Sequence, residues 1–343
     1  MNSSFSSKSF SRRRLIGTTL GAAAGLSLAP ALADGTATPE SSSSAEWTYT
    51  DVLGKTVTLP NPPVRIAANL VTAAALWDLG IKSVTVFDST ATAYPDGDHV
   101  AWGNIDPKAV VNVGDVDGNI LPEDLIAVEP DIILTLTFAT GNPDETAGVP
   151  PSLADAIKQI APVLVVTDME STEIQLGRLV DVAESLGADL STPEIVEAKS
   201  TYEAKLEEFQ STTAEKSDLT TLFINFDAAE LYIAGPRGVA DLQFLSSLGL
   251  NFANAESEAA GDFWETLSSE QALKYPVDVI FNDVYSTYKT VEELQETPVY
   301  SVMAAIKAGQ VGLWIRDFPV NYGGITDFLE NILTTLRTAE KVS

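Results

Sequence analysis

The sequence predicts an α/β protein of two lobes, each a mainly parallel sheet flanked by helices, joined through helices near the middle of the chain. Two observations predict it. Short runs rich in β-branched residues alternate with helical patterns on both sides of the centre, the pattern of parallel strands linked by crossovers. Between them, residues 172–213 hold two helical patterns back to back and no strand pattern. In the first, Ile174, Leu179, Val182, Ala183 and Leu186 recur at helical spacing. Thr172 and Gln175 suit a capping box at its start, and Gly187 stands where a left-handed C-cap falls. In the second, Ser191 or Thr192 can cap, Pro193 suits the first turn, and Ile195, Ala198, Tyr202, Leu206 and Phe209 form one apolar stripe. One large α/β domain with two surface helices would show the same periodicity, which does not fix topology.

The first lobe, residues 47–170, opens with a hairpin-like segment over 47–59, broken by Asn61-Pro62-Pro63. Strand runs follow at 64–68, 83–87, 110–113, 131–137 and 163–167, with helical patterns at 71–79, 122–128 and 152–160. Ligands of such sheets bind beyond the carboxyl ends of the strands, so two long loops matter. Residues 88–106 carry Tyr94, the single His99 and Trp102, and residues 138–151 open with Phe138. Residues 171–216 form the helical linker and 217–343 the second lobe. That lobe repeats the style, with strand runs at 221–226, 231–234, 277–282 and 311–315 and helices at 239–248, 268–274, 298–307 and 324–338. The last helix has a stripe of Ile325, Phe328, Leu329, Ile332, Leu333 and Leu336, which seats it on its lobe.

With 343 residues the chain has ample length to bury two cores. Its 48 acidic side chains against 20 basic ones give a net charge of −28. Such a surface repels nucleic acid and anionic lipid and favours neutral or cationic ligands or a basic partner. Ser11-Arg12-Arg13-Arg14-Leu15-Ile16 matches the twin-arginine export pattern, a mildly apolar Gly- and Ala-rich stretch follows, and Ala31-Leu32-Ala33 suits a signal peptidase. Residues 1–33 are therefore expected to be a signal peptide, and 34–46 a disordered leader rich in Ser, Thr and Pro. There is no cysteine, which excludes disulfides, thiolate metal sites, cysteine nucleophiles and a lipid-bearing N-terminal Cys.

Several segments, in order, carry a resemblance over essentially all of the mature chain. These are Asp51-Val52-Leu53-Gly54-Lys55, Pro62-Pro63-Val64-Arg65-Ile66 and Leu79-Gly80-Ile81. Further on come the run Leu125-Ile126-Ala127-Val128-Glu129-Pro130-Asp131-Ile132-Ile133, Ile160-Ala161-Pro162, Thr297-Pro298-Val299-Tyr300 and Lys307-Ala308-Gly309-Gln310-Val311. Together they resemble the substrate-binding proteins of iron–siderophore ABC importers, the class that includes ferrichrome-, haem- and cobalamin-binding proteins. The resemblance implies two α/β lobes bridged by one long rigid helix, with the ligand in the cleft between them. It implies an iron(III)–siderophore ligand, no cofactor, no direct metal site and no catalytic residue. The partners it implies are an ABC permease with its ATPase, and a monomer is expected. In that family one glutamate on each lobe pairs with permease arginines, and by position these are Glu123 and Glu270.

The second lobe looks closest to the ferric-hydroxamate branch. Asp262-Phe263-Trp264 stands where a hydroxamate binder has its cleft tryptophan, and Asn321-Tyr322-Gly323-Gly324 matches a segment with a cleft aromatic. Aromatic walls suit a bulky chelate with apolar edges. Loops after strands offer Trp102, Phe138, Tyr232, Arg237, Tyr285 and Arg316 as further cleft groups. One departure stands out, because the first-lobe arginine that many hydroxamate binders direct at the iron-coordinating oxygens is absent from 113–118. Arg237 or Arg316 would have to supply that donor, or the ligand differs. The rival ligands are haem, with His99 or a tyrosine as axial group, and cobalamin. A secreted carbohydrate-active enzyme is the rival of another class, without a nucleophile elbow or phosphate loop to support it. One histidine is too few for direct zinc or manganese capture.

Overall fold

The computed structural model describes residues 46–138, 143–227, 230–284 and 289–343. The expected signal peptide, nearly all of the expected leader, and Tyr285 lie outside them. β1 (Trp47–Thr50) and β2 (Thr56–Leu59) form an antiparallel hairpin. Asp51 pins it to the first lobe by accepting the Leu53, Lys55 and Val165 N–H groups at 3.0, 2.8 and 3.1 Å. The first sheet then builds from β3 (Ile66–Asn69), β4 (Thr85–Phe87), β5 (Val111–Asn112), β6 (Ile132–Leu136) and β7 (Val163–Thr167). All pair in parallel in the order β5-β4-β3-β6-β7. The crossovers carry α1 (Leu70–Asp78), α2 (Ser89–Ala93), α3 (Pro122–Val128) and α4 (Ala154–Ile160). Successive β6 residues point to opposite faces: Ile132 and Leu134 enter a core shared with α1, and Ile133 enters one shared with α3 and α4.

The linker is α5 (Thr172–Ser185) followed by α6 (Pro193–Glu215). Gly187 does end α5 in the left-handed region, at φ +89, with Ala188 N–H returning to Ala183 O at 2.9 Å. The expected capping box does not form. Ser171 is the N-cap, and the Gln175 amide instead donates to the Asp168 and Glu170 carbonyls, both at 2.8 Å. α5 packs Leu179, Val182, Ala183 and Leu186 into the first-lobe core. α6 is the long member, 23 residues and so about 34 Å. Ile195 near its start shares a groove with Trp77 of α1. At its other end Phe209 is in the second-lobe core and Thr213 donates to Leu248 O at 2.7 Å. The sequence reading favours the first linker helix for the crossing; both helices take part, α5 with Leu176 in the second-lobe core and Leu179 in the first, and α6 as the longer strut.

The second sheet comprises β8 (Thr221–Phe226), β9 (Glu230–Ala234), β10 (Trp264–Ser268), β11 (Val279–Asp283) and β12 (Val311–Trp314), in the order β10-β9-β8-β11-β12. β8, β11 and β12 run parallel, whereas β9 runs antiparallel to both of its neighbours, β8 and β10, so this sheet is mixed. Its helices are α7 (Ala240–Ser247), α8 (Val291–Glu296), α9 (Ala304–Lys307) and α10 (Tyr322–Leu336). The predicted stripe of α10 is wholly buried against β12 and α6. The helix expected over 268–274 is a single turn at Ser269–Gln271, closed by reciprocal Ser268 and Gln271 bonds. The lobes are stitched directly as well as through the linker. Asn321 caps α10 through Gly324 N–H at 2.8 Å and donates to Asp78 Oδ2 of α1 at 3.0 Å. Gln243 of α7 donates to Met169 O at 3.1 Å. Among the described residues no helix is long and apolar enough to cross a membrane.

Candidate ligand-binding cleft

A cavity of about 250 Å³ opens between the lobes at the carboxyl ends of both sheets. From the first lobe, Val71 and Thr72 open α1 after β3, Leu136 ends β6 with Phe138 beyond it, and Thr167 ends β7 ahead of Asp168 and Met169. α5 supplies Thr172, Gln175 and Leu179 to its floor. The second lobe contributes Val239 to Asp241 at the start of α7, Phe263 before β10, and Arg316, Asp317, Phe318 and Val320 after β12. Most of these sit at strand ends and helix starts, where parallel sheets leave a crevice, while Leu179 comes from the middle of α5 and Phe263 from just before β10.

Arg316 is the centre of the second-lobe wall. Its guanidinium carbon lies 5.6 Å from the Trp264 ring and 5.4 Å from the Trp314 ring, so it rests against both rings of this pair. Behind it, Nε is 3.2 Å from Asp283 Oδ1 and Nη2 is 2.9 Å from Oδ2, the fork geometry that suits a carboxylate. Asp283 is fully buried and also accepts from Asn225 Nδ2 at 3.2 Å. Trp314 is fully buried and donates its indole N–H to Asp241 Oδ2 at 2.7 Å. Burial pushes the Asp241 carboxyl up to about 6, against the lowering effect of that bond and of Arg316. On the first-lobe side, Asp168 is paired with Arg178 at 2.7 Å, and Arg178 also reaches Glu170.

The predicted residues divide. Arg316 and Phe138 line the cavity, Phe138 with 62% of its surface exposed. Trp264 backs Arg316 and packs edge-on to Trp314 at 5.8 Å and to Tyr232 at 6.2 Å, while its neighbour Phe263 reaches the cavity itself. Tyr232 donates its hydroxyl to Glu230 Oε2 at 2.7 Å and stands behind Trp264. Three expectations are corrected. Trp102 is buried in the first-lobe core and donates Nε1–H to Tyr94 O at 2.9 Å, which leaves no ring face for a ligand. Tyr322 packs at a tilt against Tyr202 at 5.6 Å and lines an open groove of about 700 Å³ beside Trp77, Lys82 and Ile195 instead of the cleft. Arg237 is exposed and spends its guanidinium on the Ala255 carbonyl, outside the cavity lining. His99, the axial candidate of the rival haem reading, caps a short turn through Ala101 N–H at 3.2 Å, lies tilted against the Tyr94 ring, and is likewise not part of that lining. The sequence reading misses Asp241, Phe263, Asp317 and Phe318. The rule that selects Arg316, a position just past a strand, applies equally to Asp317 and Phe318.

The family model described as "Periplasmic binding protein" matches residues 67–315, which include both sheets' strands from β3's second residue through β12. The chain belongs to that family. Among solved structures, this binding protein is similar to DesE, a ferric-siderophore receptor protein from Streptomyces coelicolor. The identity is 28% and the TM-score 0.75, covering 87% of this chain and 100% of that one. PiaA of Streptococcus pneumoniae TIGR4, in complex with ferrichrome, gives 20% identity and a TM-score of 0.55 over 85% and 99% of the two chains. The petrobactin-binding protein YclQ from Bacillus subtilis gives 14% and 0.64 over 86% and 99%. The last two support the fold alone. No curated protein sequence matches the chain.

On the outer surface of the binding protein, Glu123 lies exposed in the first turn of α3, directly after Pro122. Glu270 is exposed in the single turn after β10. Each is followed three residues later by an exposed aliphatic side chain, Ile126 at 58% and Leu273 at 62%.

Proposed function

We propose that this extracytoplasmic binding protein captures a ferric siderophore of the hydroxamate type in the inter-lobe cleft and delivers it to an ABC permease. The observation that carries the reading is the Arg316 wall: a guanidinium set against an edge-packed pair of tryptophans, with Phe263 and Phe318 beside it at the cavity surface. A ferric hydroxamate offers a ring of anionic oxygens on a bulky apolar-edged body, which is what an oriented arginine among aromatic rings recognises. Arg316 takes the place of the donor that the first lobe lacks. The likeness to a ferric-siderophore receptor over its whole length supports the same ligand class. At about 250 Å³ the enclosed volume is near the lower end for small-molecule sites, roughly 300–1,000 Å³, so a chelate of siderophore size fills it and extends through the mouth.

Titration of tryptophan fluorescence with ferric hydroxamates, ferric catecholates, haemin and cobalamin tests the reading. Hydroxamate complexes should quench at micromolar concentration or below, and Trp264→Ala should weaken both signal and affinity by about tenfold, the scale of one lost aromatic contact. Tight binding of haemin or cobalamin with none of hydroxamates would overturn it.

Export through the twin-arginine route and delivery through Glu123 and Glu270 complete the proposal. Two exposed carboxylates on separate lobes, each beside an aliphatic side chain, suit basic permease loops with apolar flanks. Reversal of both charges, Glu123→Lys with Glu270→Lys, should reduce uptake at least tenfold while soluble-protein affinity stays within twofold. Uptake that survives both reversals would remove the docking role.

A further inference from the structure

We infer that Asn321 and Asp78 form the pivot between the lobes, and that these two positioning residues set how far apart the walls of the cleft stand. The inference rests on the reading of that cleft as the ligand site and adds the device that fixes its width. Asn321 is buried and belongs to the second lobe. Its side-chain amide nevertheless donates to Asp78 Oδ2 at 3.0 Å and to Ala74 O at 3.3 Å, both on α1 of the first lobe. Its Oδ1 accepts Gly324 N–H at 2.8 Å, so one side chain both starts α10 and grips the other lobe. Asp78 Oδ2 also receives the Asn104 amide at 3.0 Å.

The elements joined here are the ones that form the walls. α1 opens at the cleft with Val71 and Thr72 and ends at Asp78. At the helical rise, Asp78 stands about 10 Å behind Val71. On the second lobe, the segment that leads into Asn321 carries Arg316, Phe318 and Val320 on the opposite wall. A shift at the Asn321–Asp78 contact is therefore passed to both walls, by one helix and one short segment.

Three further observations distinguish this contact from an ordinary packing bond. Space lies on both sides of it. The open groove of about 700 Å³ and a second cavity of about 310 Å³ both have Asp78, Asn104 and Asn321 in their walls, so the lobes meet here through a narrow neck. The neck itself has no spare room. Gly103, at φ +51, sits where a Cβ would lie 2.8 Å from Pro319 Cγ and 3.4 Å from Ala74 Cβ, and only a glycine lets this turn close on the second lobe. Finally, Asp78 is the last residue of α1, the helix end at which the dipole disfavours a carboxylate. The two amides it receives offset that cost.

The test reads lobe position apart from ligand chemistry. The chain has no cysteine, so Val64→Cys and Leu273→Cys, exposed positions of the first and second lobes, accept a pair of nitroxide labels whose separation pulsed electron resonance measures. Asn321→Asp keeps the cap on α10 and sets two carboxylates against each other. Without ligand, it should move the label distance by about 2 Å or more, the scale on which packed elements slide. Affinity for a ferric trihydroxamate should fall about tenfold or more as the walls leave their working separation. Adding Asp78→Asn restores an amide–carboxylate bond of reversed direction at the same total charge. The double variant should recover the wild-type distance and, within about twofold, the wild-type affinity. A merely structural role for Asn321 would lower stability without moving the labels. Gly103→Ala, which wedges Pro319 away from Ala74 and leaves the pair untouched, should also move them. An unmoved distance in Asn321→Asp, or a shift that the double variant keeps, overturns the pivot. If Asn321→Asp does not fold, an unmoved distance in Gly103→Ala overturns it instead. Failure of the wild type to bind any ferric hydroxamate overturns the siderophore reading alone, because the label distances are read without ligand.

Discussion

Arg316→Gln should abolish ligand capture and destabilise the protein by about 3–5 kcal/mol, the usual result of removing one partner of a buried ion pair. Asp283 has no contact with water, and the guanidinium meets both of its oxygens. Glutamine removes the charge that makes those bonds strong. It also removes the flat cation that rests against the paired rings of Trp264 and Trp314. Against a total stability of about 5–15 kcal/mol, this is a change that urea unfolding will read as a large shift in midpoint. The binding loss is separate, at least a hundredfold, because the proposed donor to the chelate oxygens is gone. Arg316→Lys should recover part of the stability and little of the affinity, since an ammonium cannot reproduce the fork. Pairing Arg316→Gln with Asp283→Asn should restore most of the stability and none of the affinity. A single Arg316→Gln variant that unfolds within about 1 kcal/mol of wild type and still quenches with ferric hydroxamate would dismantle this account of the cleft.

How much of this fold is legible in the chain depends on where each element sits. β6 and β7 are apolar on both faces, Ile132 to Leu134 and Val163 to Val166, because a parallel strand under helices has no wet side. α10 advertises itself by its unbroken stripe. β10 does not, because it is an edge strand on which Leu267 alone is buried, and Glu265, Thr266 and Ser268 give no alternation. α8 escapes notice for another reason. Its six residues are too short to show periodicity, and only the reciprocal bonds of Thr290 and Glu293 mark its start, Thr290 N–H donating to Glu293 Oε2 at 2.8 Å. The share each linker helix takes in the crossing does not show in the sequence, because both have comparable stripes. What separates them is length and which core each stripe enters, and the second of these is a tertiary fact.

The site is legible as a location more than as a set of residues. Strand ends and the Arg316 position come from pattern alone. Aromatic identity does not reveal direction: Trp102 and Phe138 are both loop aromatics of the first lobe, yet one is in the core and the other stands open to the cleft. Tyr322 is displaced by a single structural decision. Asn321 caps α10 while donating to Asp78 and to Ala74 O, and that places the next residue against Tyr202. No spacing rule encodes such a contact. Asp283 and Asp241 are equally silent in the sequence, where they are two of 48 acidic residues. Their significance comes from burial beside Arg316 and Trp314.

Trp314 joins that cleft to the second-lobe core, and its replacement should have the other large effect. The ring is fully buried, meets Phe223 edge-on at 5.5 Å and Trp264 at 5.8 Å, and holds Asp241 through its N–H. Trp314→Ala should cost about 3–5 kcal/mol through the cavity it leaves, with ligand affinity falling as Arg316 loses one wall. Trp314→Phe is the sharper probe. It keeps most of the volume and deletes one donor to a buried carboxylate, a loss of about 1–3 kcal/mol. The pH dependence follows from Asp241, whose carboxyl in the folded protein is raised to about 6. A carboxyl raised on folding favours the folded state while protonated, and that contribution is lost as pH climbs from the unfolded value, about 3.9, through the folded one. The indole N–H opposes this rise, so its removal pushes the folded value higher and extends the loss upward. The difference in stability between wild type and Trp314→Phe should therefore be small near about pH 5 and should widen toward about pH 8. A difference that stays flat across that interval would show that the indole bond does not set the ionisation of Asp241, and that Trp314 supports the cleft by packing alone.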